Sequence, residues 1–586
     1  MFSLAQRRAI QWVWAALGVI AFIGATLYAI RAHLSVPVLP IDDGYIHLRH
    51  ARNILDGLGP VYQSGARVMG SSSPLYVLWL TFLGALARLF GGRTGPAPGG
   101  PLVAGLPTIA VRANAFWYVA CMVAMAGVIR TMLGCRGVVP APADTPRGVP
   151  DPRWGLALVL AAAATLFSPM LAVSTGVMES FMWGALVLGA LWAQAGDRPR
   201  TAAVLTGLAA VARPEGLLLL CLWGVRWLAS CLRTALHGRD SDRSWLEPVL
   251  ELVLALWPLL AWLVFSCAYY GSPLPHSVLA KASGLYPLGP EYVPDTLREL
   301  FRAWAGGGAL SWNPPGSVPA GGGFLSLVQG VTRLLALVGV FALSDLRRAA
   351  AWAPGLLLGM LCLFYISART MLLEWYLPLI WVLWYPAIFG GAWAIGVALL
   401  RWARTRPSPW RIGTAVLVSG LVALVFVRGP ARAAVELLQR PDVATIVLDD
   451  PVRLRTLAYL DAAVWLNEHA PEGARLAGTE IGTLGYYYGG YLIDSCALVS
   501  PEALRYLPVP MAQRYSAMDG VIANELVQDL EPDYVASMPT FAGASIMRDR
   551  WFSSHYALAA EFPLPKELWG SSSVLVWEHV LPAVTR

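Results

Sequence analysis

"QWVWAALGVIAFIGATLYAIRAHLSVPVLPIDDGYIHLRHARNILDGLG", residues 11–59, passes from an apolar run into a stretch dense in ionisable groups. A bilayer is crossed by roughly 20 apolar residues of helix, so residues 11–31 read as a first span, uncleaved, with Arg7 and Arg8 on its cytoplasmic side. The carboxylates Asp42 and Asp43 then emerge at the far membrane surface, followed closely by Tyr45, His47, Arg49, His50 and Arg52. Adjacent carboxylates repel. The pair is easiest to keep if one holds a cation or a cationic side chain while the other serves as a base. Tyr45, Arg49, Arg52 and Asp56 share one helical face and Leu48, Ala51 and Leu55 another. That pattern predicts a surface helix with its leucines in the membrane and its arginines toward solvent or lipid phosphate. A plainer reading has the arginines snorkelling and Asp42 capping its own helix.

The rest of the chain repeats the apolar theme. Of 586 residues, 57% are hydrophobic and 13% charged, the latter about half the share in a soluble domain. Spans are predicted at 11–31, 109–133, 155–173, 179–195, 201–212, 214–232, 249–270, 324–343, 351–367, 374–400 and 411–428. The run 201–212 is too short to cross alone and pairs with 214–232 through "RPEG" as a hairpin with a polar tip. If "SPLYVLWLTFLGALARLFG" (73–91) is a surface or re-entrant helix, the arginine-bearing loops at Arg136–Arg153, Arg198–Arg200, Arg233–Arg243, Arg347–Arg348 and Arg401–Arg411 all fall inside with Arg7 and Arg8. The net charge of +7 is then that of cytoplasmic loops. No RNP, helix-turn-helix or zinc-finger pattern points to nucleic acid, no Walker A motif to ATP, and no Cys/His spacing to disulfides or zinc. Residues 429–586 are more polar and predict an extracytoplasmic α/β domain, with strands at "ARLAGTE", at the end of "GTLGYYYGGYLID", at "EPDYVAS" and at "SVLVWEHV". The division is thus a transmembrane unit at 1–428 and an α/β domain at 429–586. Trp465, Trp551, Trp569 and Trp577 in that domain serve either its core or an acceptor glycan.

Ionisable groups at membrane depth are functional candidates, and this threading collects them on the outer side. Glu179 opens a span after "STGVM", favouring its helix dipole or completing a carboxylate pair with Asp42. Arg213 and Arg369 need anionic partners, either Glu215 and Glu374 or a substrate phosphate. "GSPLPHSVLAKASG" carries His276 and Lys281; Lys281 and Lys566 are the only lysines in the chain, and Lys281 offers a compact charge suited to phosphate. Carboxylates beside cations suit transfer of a group from a lipid phosphate to an acceptor hydroxyl. A transporter or lipid flippase is the other reading, but it would gather polar groups at the bilayer midplane on broken helices.

"DDGYIHLRHARNILDGLGPVY" with "GARVMGSSSPLYVLWL", then "STGVMES", "ARPEGLLLL", "GSPLPHSVLAKA" and "EIGTLGYYYGGYLIDSCALVSP", in this order, resemble the GT-C fold integral-membrane glycosyltransferases. The nearest are actinobacterial terminal arabinofuranosyltransferases and their relatives; lipid A aminoarabinose and protein O-mannosyl transferases are more distant. The resemblance implies a polyprenyl-phosphate sugar donor, arabinofuranose among the candidates, and an extracytoplasmic glycan acceptor. It implies a multi-pass cell-membrane enzyme with its site outside. It assigns Asp42 as general base of a single inverting displacement, with Asp43 beside it and Glu179 as the second carboxylate. Lys281, Arg369, His276, Arg49, Arg52 and Arg213 are the candidates for the donor phosphate. Some members also hold a divalent metal (Mg or Mn), for which Asp43 and Glu179 are the matching residues. His276 departs from the pattern, standing where relatives often carry Asn.

Overall fold

The computed structural model describes residues 4–95, 105–134, 151–166, 168–237, 246–304, 349–369, 371–405, 408–420 and 443–580. The predicted span 324–343, the second part of 411–428 and the loop arginines Arg136, Arg147, Arg239, Arg243, Arg347, Arg348 and Arg406 lie outside these.

The N-terminal part is helical: α1 (Leu4–Ser35), α2 (Asp42–Leu55), α3 (Pro74–Leu89), α4 (Leu106–Leu133), α5 (Pro152–Thr165), α6 (Ser168–Ser174), α7 (Ser180–Ala195), α8 (Pro199–Ala212), α9 (Gly216–His237), α10 (Leu246–Tyr270), α11 (His276–Ala282), α12 (Val293–Trp304), α13 (Ala349–Ala368) and α14 (Leu377–Thr405). Among the described residues, five helices are long and apolar enough to cross a membrane: Gln11–Ser35, Leu106–Leu133, Gly216–Leu236, Leu246–Tyr270 and Glu374–Thr405. Shorter apolar helices lie between them. Side chains such as Ile20, Leu27, Val225, Trp257 and Val264 point outward and exposed, as a lipid-solvated bundle requires. The chain is a polytopic helical membrane protein. The predicted span 155–173 is broken, α5 ending at Thr165 and α6 starting at Ser168. The "RPEG" hairpin is present, Arg213 to Glu215 joining α8 to α9. Helix α3 has 16 residues, about 24 Å at 1.5 Å per residue, short of a bilayer core. It packs on α2, α4 and α8.

Two helices, α15 (Val443–Asp449) and α16 (Pro451–His469), lead into a sheet domain. The strands are β1 (Arg475–Gly478), β2 (Tyr491–Asp494), β3 (Tyr534–Ser537), β4 (Tyr556–Leu568) and β5 (Ser571–His579), ordered β2-β1-β3-β5-β4. The first three run parallel, and β5 and β4 add antiparallel. Four strands match the sequence reading. The unforeseen one is β4, whose Pro563 and Pro565 argue against a strand except at a sheet edge, where β4 lies. Trp577 is buried in this sheet, whereas Trp465 and Trp551 stack part-buried on His469 and His555.

Helix α2 is not a surface helix. Ten of its residues are buried, among them Tyr45, Leu48, Arg49 and Ala51, because it lies between the bundle and the sheet domain. Asp42 does not cap α2, whose N-cap is Ile41 with no side-chain bond; it caps α17 (Ile481–Tyr487) instead. The Asp42 carboxylate accepts from Gly482 N at 2.9 Å and Thr483 N at 2.8 Å. Tyr62 Oη donates to Ile481 O at 2.6 Å, and the Gln63 amide pairs with Leu492 on the outer edge of β2 at 2.6 and 2.8 Å. Ile46 and Tyr62 share one apolar core with Leu476, Leu484, Leu492 and Val576. Buried Arg453 of α16 adds a tie to the turn before α7, donating to Thr175 Oγ1 at 2.8 Å and Ala172 O at 2.5 Å.

The seam is close enough to demand glycine. A Cβ at 482 would stand 1.7 Å from Asp42 O. Gly482→Ala is therefore expected to cost about 1–3 kcal/mol through overpacking. The check is a lowered melting temperature in detergent together with faster amide exchange at Gly482 and Thr483; an unchanged melt and exchange pattern would refute the tight seam.

Candidate active site

Helix α2 starts with both carboxylates in its first turn, where the helix dipole favours them. Their neighbours then separate their roles. Asp42 is buried with both oxygens taken by the α17 amides. Asp43, one residue on and turned to a different side, is part-buried and has no hydrogen-bond or ion-pair partner among the described residues. Burial pushes its carboxyl up to about 6; the Lys281 charge opposes the rise and the Asp42 charge adds to it.

Lys281 comes from α11, a short helix tethered by His276 N donating to Met69 O at 2.8 Å. The residue is exposed, and its ammonium donates to Tyr376 Oη at 3.3 Å. Both residues line a cavity of about 280 Å³ with Tyr286, Leu288, Arg369 and Met371. Arg369 follows α13 at φ 47°, a left-handed turn that commonly ends a helix but is costly without glycine. It is exposed, and its Nη1 reaches Leu288 O at 3.5 Å. One cavity thus carries two accessible cations on a mixed aromatic and aliphatic wall, with Asp43 close enough to Lys281 for their charges to interact.

Behind it runs a closed network. Arg213 pairs with Glu179 and makes a two-pronged contact with Glu215 at 3.1 and 3.0 Å. Tyr365 Oη donates to Glu215 at 3.0 Å, and the Arg213 guanidinium stacks over Tyr376 at 5.0 Å. His47 Nε2 lies 3.1 Å from Glu179 and its Nδ1 2.8 Å from Ser71 Oγ. Arg213 is therefore held by buried carboxylates and not presented to a ligand. Its stacking steadies the tyrosine that orients Lys281.

The other sequence candidates lie elsewhere. Arg49 donates to Tyr62 O at 2.7 Å and stacks over that ring at 4.5 Å. Arg52 donates to Tyr486 O at 2.6 Å and stacks on Tyr486 at 4.7 Å. Both fasten α2 to its surroundings, Arg49 buried and Arg52 part-buried. His276 does not line the cavity, and its Nε2 is buried without a partner among the described residues. Asp43 and Glu179 do not fit a divalent metal. Arg213 occupies one oxygen of Glu179 and His47 faces the other, and among the described residues no group of three or more His, Cys, Asp or Glu converges on one point. The residues unforeseen from sequence are Tyr286, Tyr365, Tyr376, Arg455 and Glu480, and His47 stands in the quoted ionisable stretch without a role read for it. Glu480 opens the quoted motif "EIGTLGYYYGGYLIDSCALVSP", but spacing alone carries no sign that it comes to the start of α2.

Comparison with known proteins adds three findings. Residues 449–577 match a domain of unknown function, DUF8728. The chain is 29% identical over 270 residues to the terminal beta-(1->2)-arabinofuranosyltransferase of Corynebacterium glutamicum, covering 45% of this chain and 36% of that protein. Part of this chain resembles an arabinofuranosyltransferase. The similarity spans only about a third of that relative's length, 36%. Structures of ArnT from Cupriavidus metallidurans, apo and bound to undecaprenyl phosphate, align at a TM-score of 0.45. They are 14% and 15% identical, covering 96% and 95% of this chain and 98% and 97% of theirs. A likeness at that score carries no weight for fold or chemistry.

The network makes a stability prediction. Arg213→Ala would leave Glu179 and Glu215 buried against each other, a loss of about 3–5 kcal/mol. The expected outcome is a large drop in melting temperature in detergent, not restored by lysine, which cannot bridge both carboxylates. A melt like that of the unaltered protein would show that the network does not hold the site.

Proposed function

We propose that this protein is a membrane glycosyltransferase of the GT-C type that moves a sugar from a polyprenyl-phosphate carrier to a glycan acceptor on the extracytoplasmic side of the cell membrane. The observation that carries the proposal is the cavity that Lys281 and Arg369 line, with the unpartnered Asp43 carboxylate close enough to Lys281 for their charges to interact. Arabinofuranose is the proposed sugar, on the similarity to the arabinofuranosyltransferase. The proposal places the catalytic unit in 1–428 and the acceptor-side domain in 429–586.

In this reading Asp43, not Asp42, is the base. Both Asp42 oxygens are engaged by backbone amides, so a proton taken there would break two charge-assisted bonds. Asp43 accepts the proton of the acceptor hydroxyl as that oxygen attacks the anomeric carbon. The bond from that carbon to the phosphate oxygen breaks, the polyprenyl phosphate departs, and the configuration inverts. Lys281 and Arg369 meet the charge that develops on the leaving phosphate. Leu288 and Met371 offer apolar wall for the first isoprene units. Asp42 keeps Asp43 in place by pinning the start of α2.

The test is transfer by purified protein in nanodiscs, from a labelled polyprenyl-phosphate arabinofuranose to a cell-envelope glycan fraction. Asp43→Asn is expected to lower kcat by about 10²–10⁴-fold with little change in melting temperature. Asp42→Asn is expected to lower the melting temperature as well as the rate. A base must be unprotonated to act, so kcat/KM should fall tenfold per pH unit below about 6, the Asp43 value, and level off above it. Full activity in Asp43→Asn, or no acid limb in the wild type, would overturn the assignment.

A further inference from the structure

The sheet domain brings a carboxylate of its own to the start of α2. Glu480 ends the β1–α17 connection, two residues before Gly482, whose amide holds Asp42. The same seam that pins Asp42 therefore sets Glu480 beside the start of α2. Arg455 of α16 reaches Glu480 twice, Nε at 2.9 Å and Nη2 at 2.7 Å, and both contacts go to Oε2. Oε1 has no partner among the described residues, and Glu480 is only part-buried. The neighbouring Thr479 is buried with an unpartnered hydroxyl. Arg455 is itself stacked over Trp569 at 5.2 Å, so the fork holding Glu480 cannot easily swing away. Burial pushes the Glu480 carboxyl up to about 7; Arg455 opposes this and the charges of Asp42 and Asp43 add to it. Tyr286, on the cavity wall, is kept un-ionised first by burial and then by charges that include Asp43 and Glu480. Through the Asp42–Gly482 contact, Asp43 from the bundle and Glu480 from the sheet domain thus stand on the two sides of one seam, each with an oxygen that no described residue engages.

We propose that Glu480 is a specificity-determining residue for the acceptor: its Oε1 accepts a hydrogen bond from the hydroxyl adjacent to the one that Asp43 deprotonates. The acceptor is then a sugar with two neighbouring free hydroxyls, read by one carboxylate from each part of the protein. This rests on the glycosyltransferase reading. The linkage named for the relative, beta-(1->2), makes the attacking group a 2-hydroxyl and the hydroxyl read by Glu480 the 3-hydroxyl.

The test uses the full chain in nanodiscs with polyprenyl-phosphate arabinofuranose and two acceptors, octyl arabinofuranoside and its 3-deoxy analogue. Wild type is expected to lose about 10- to 100-fold in kcat/KM on the deoxy acceptor, the range for a hydrogen bond to a charged group. Glu480→Ala should show that loss already on the parent acceptor, mainly in acceptor KM, with donor KM unchanged and no further loss on the deoxy acceptor. Glu480→Gln, which keeps an oxygen for Arg455, guards against a folding defect and is expected to weaken the discrimination with an unaltered melt. Variants that discriminate as wild type does, or that lose equally on both acceptors, would overturn the role of Glu480. Donor consumption absent in wild type with either acceptor and with the cell-envelope fraction would instead sink the glycosyltransferase reading, and this proposal with it.

Discussion

The Asp42 carboxylate on the amides of Gly482 and Thr483 is the constraint on which the rest of the site depends. It joins the first residue of α2 to the first turn of α17, across more than four hundred residues of chain. An ionised acceptor taking two backbone N–H groups at a helix start is among the stronger polar contacts a protein makes. Here it is buried and enclosed by Tyr62, Gln63 and Arg52, which bind the same seam. Its consequence is a division of labour between adjacent residues. One aspartate is spent on architecture, and the other is left with a carboxylate that no described residue engages.

The electrostatics follow a related logic. Charges deep in such a bundle are costly unless paired. Most of these pair with each other: Arg213 with Glu179 and Glu215, Arg455 with Glu480, Arg453 with the carbonyls before α7 and, at 3.7 Å, with Asp450. Asp43, Lys281 and Arg369 differ: Asp43 has no partner among the described residues, and Lys281 and Arg369 line the cavity. Lys281 makes one neutral contact, to Tyr376, and Arg369 one long contact, to a carbonyl. Groups held this way are poised to exchange solvent for a ligand, whereas saturated ones serve to hold shape.

Several expectations about individual side chains changed because burial is a property of the whole fold. The helical face of Arg49 and Arg52 was legible from spacing, but whether it met water, lipid or protein was not. The sheet domain covers it, so the arginines became clamps. Glu179 stands at the start of its helix as read, yet its chemistry is set by Arg213, on a hairpin whose proximity no local pattern encodes. The strand β4 was hidden by its prolines, which are tolerated only because the strand lies at an edge. The ordered motifs that suggested a GT-C resemblance contain Lys281, which lines the cavity, and Glu480, whereas Arg369 lies outside them.

Hydropathy, arginine placement and strand alternation by themselves determined that this is a polytopic helical membrane protein with a polar sheet domain near its C-terminus, and that ionisable groups gather at helix ends. Those signals are local, set by the solvent that each segment meets. Which aspartate is left unpartnered, which arginines are consumed in pairing, and that the segment of Glu480 comes to the start of α2 were decided only by tertiary structure. Each depends on a partner hundreds of residues away, and a side chain's charge can be used only where packing has left it unpaired.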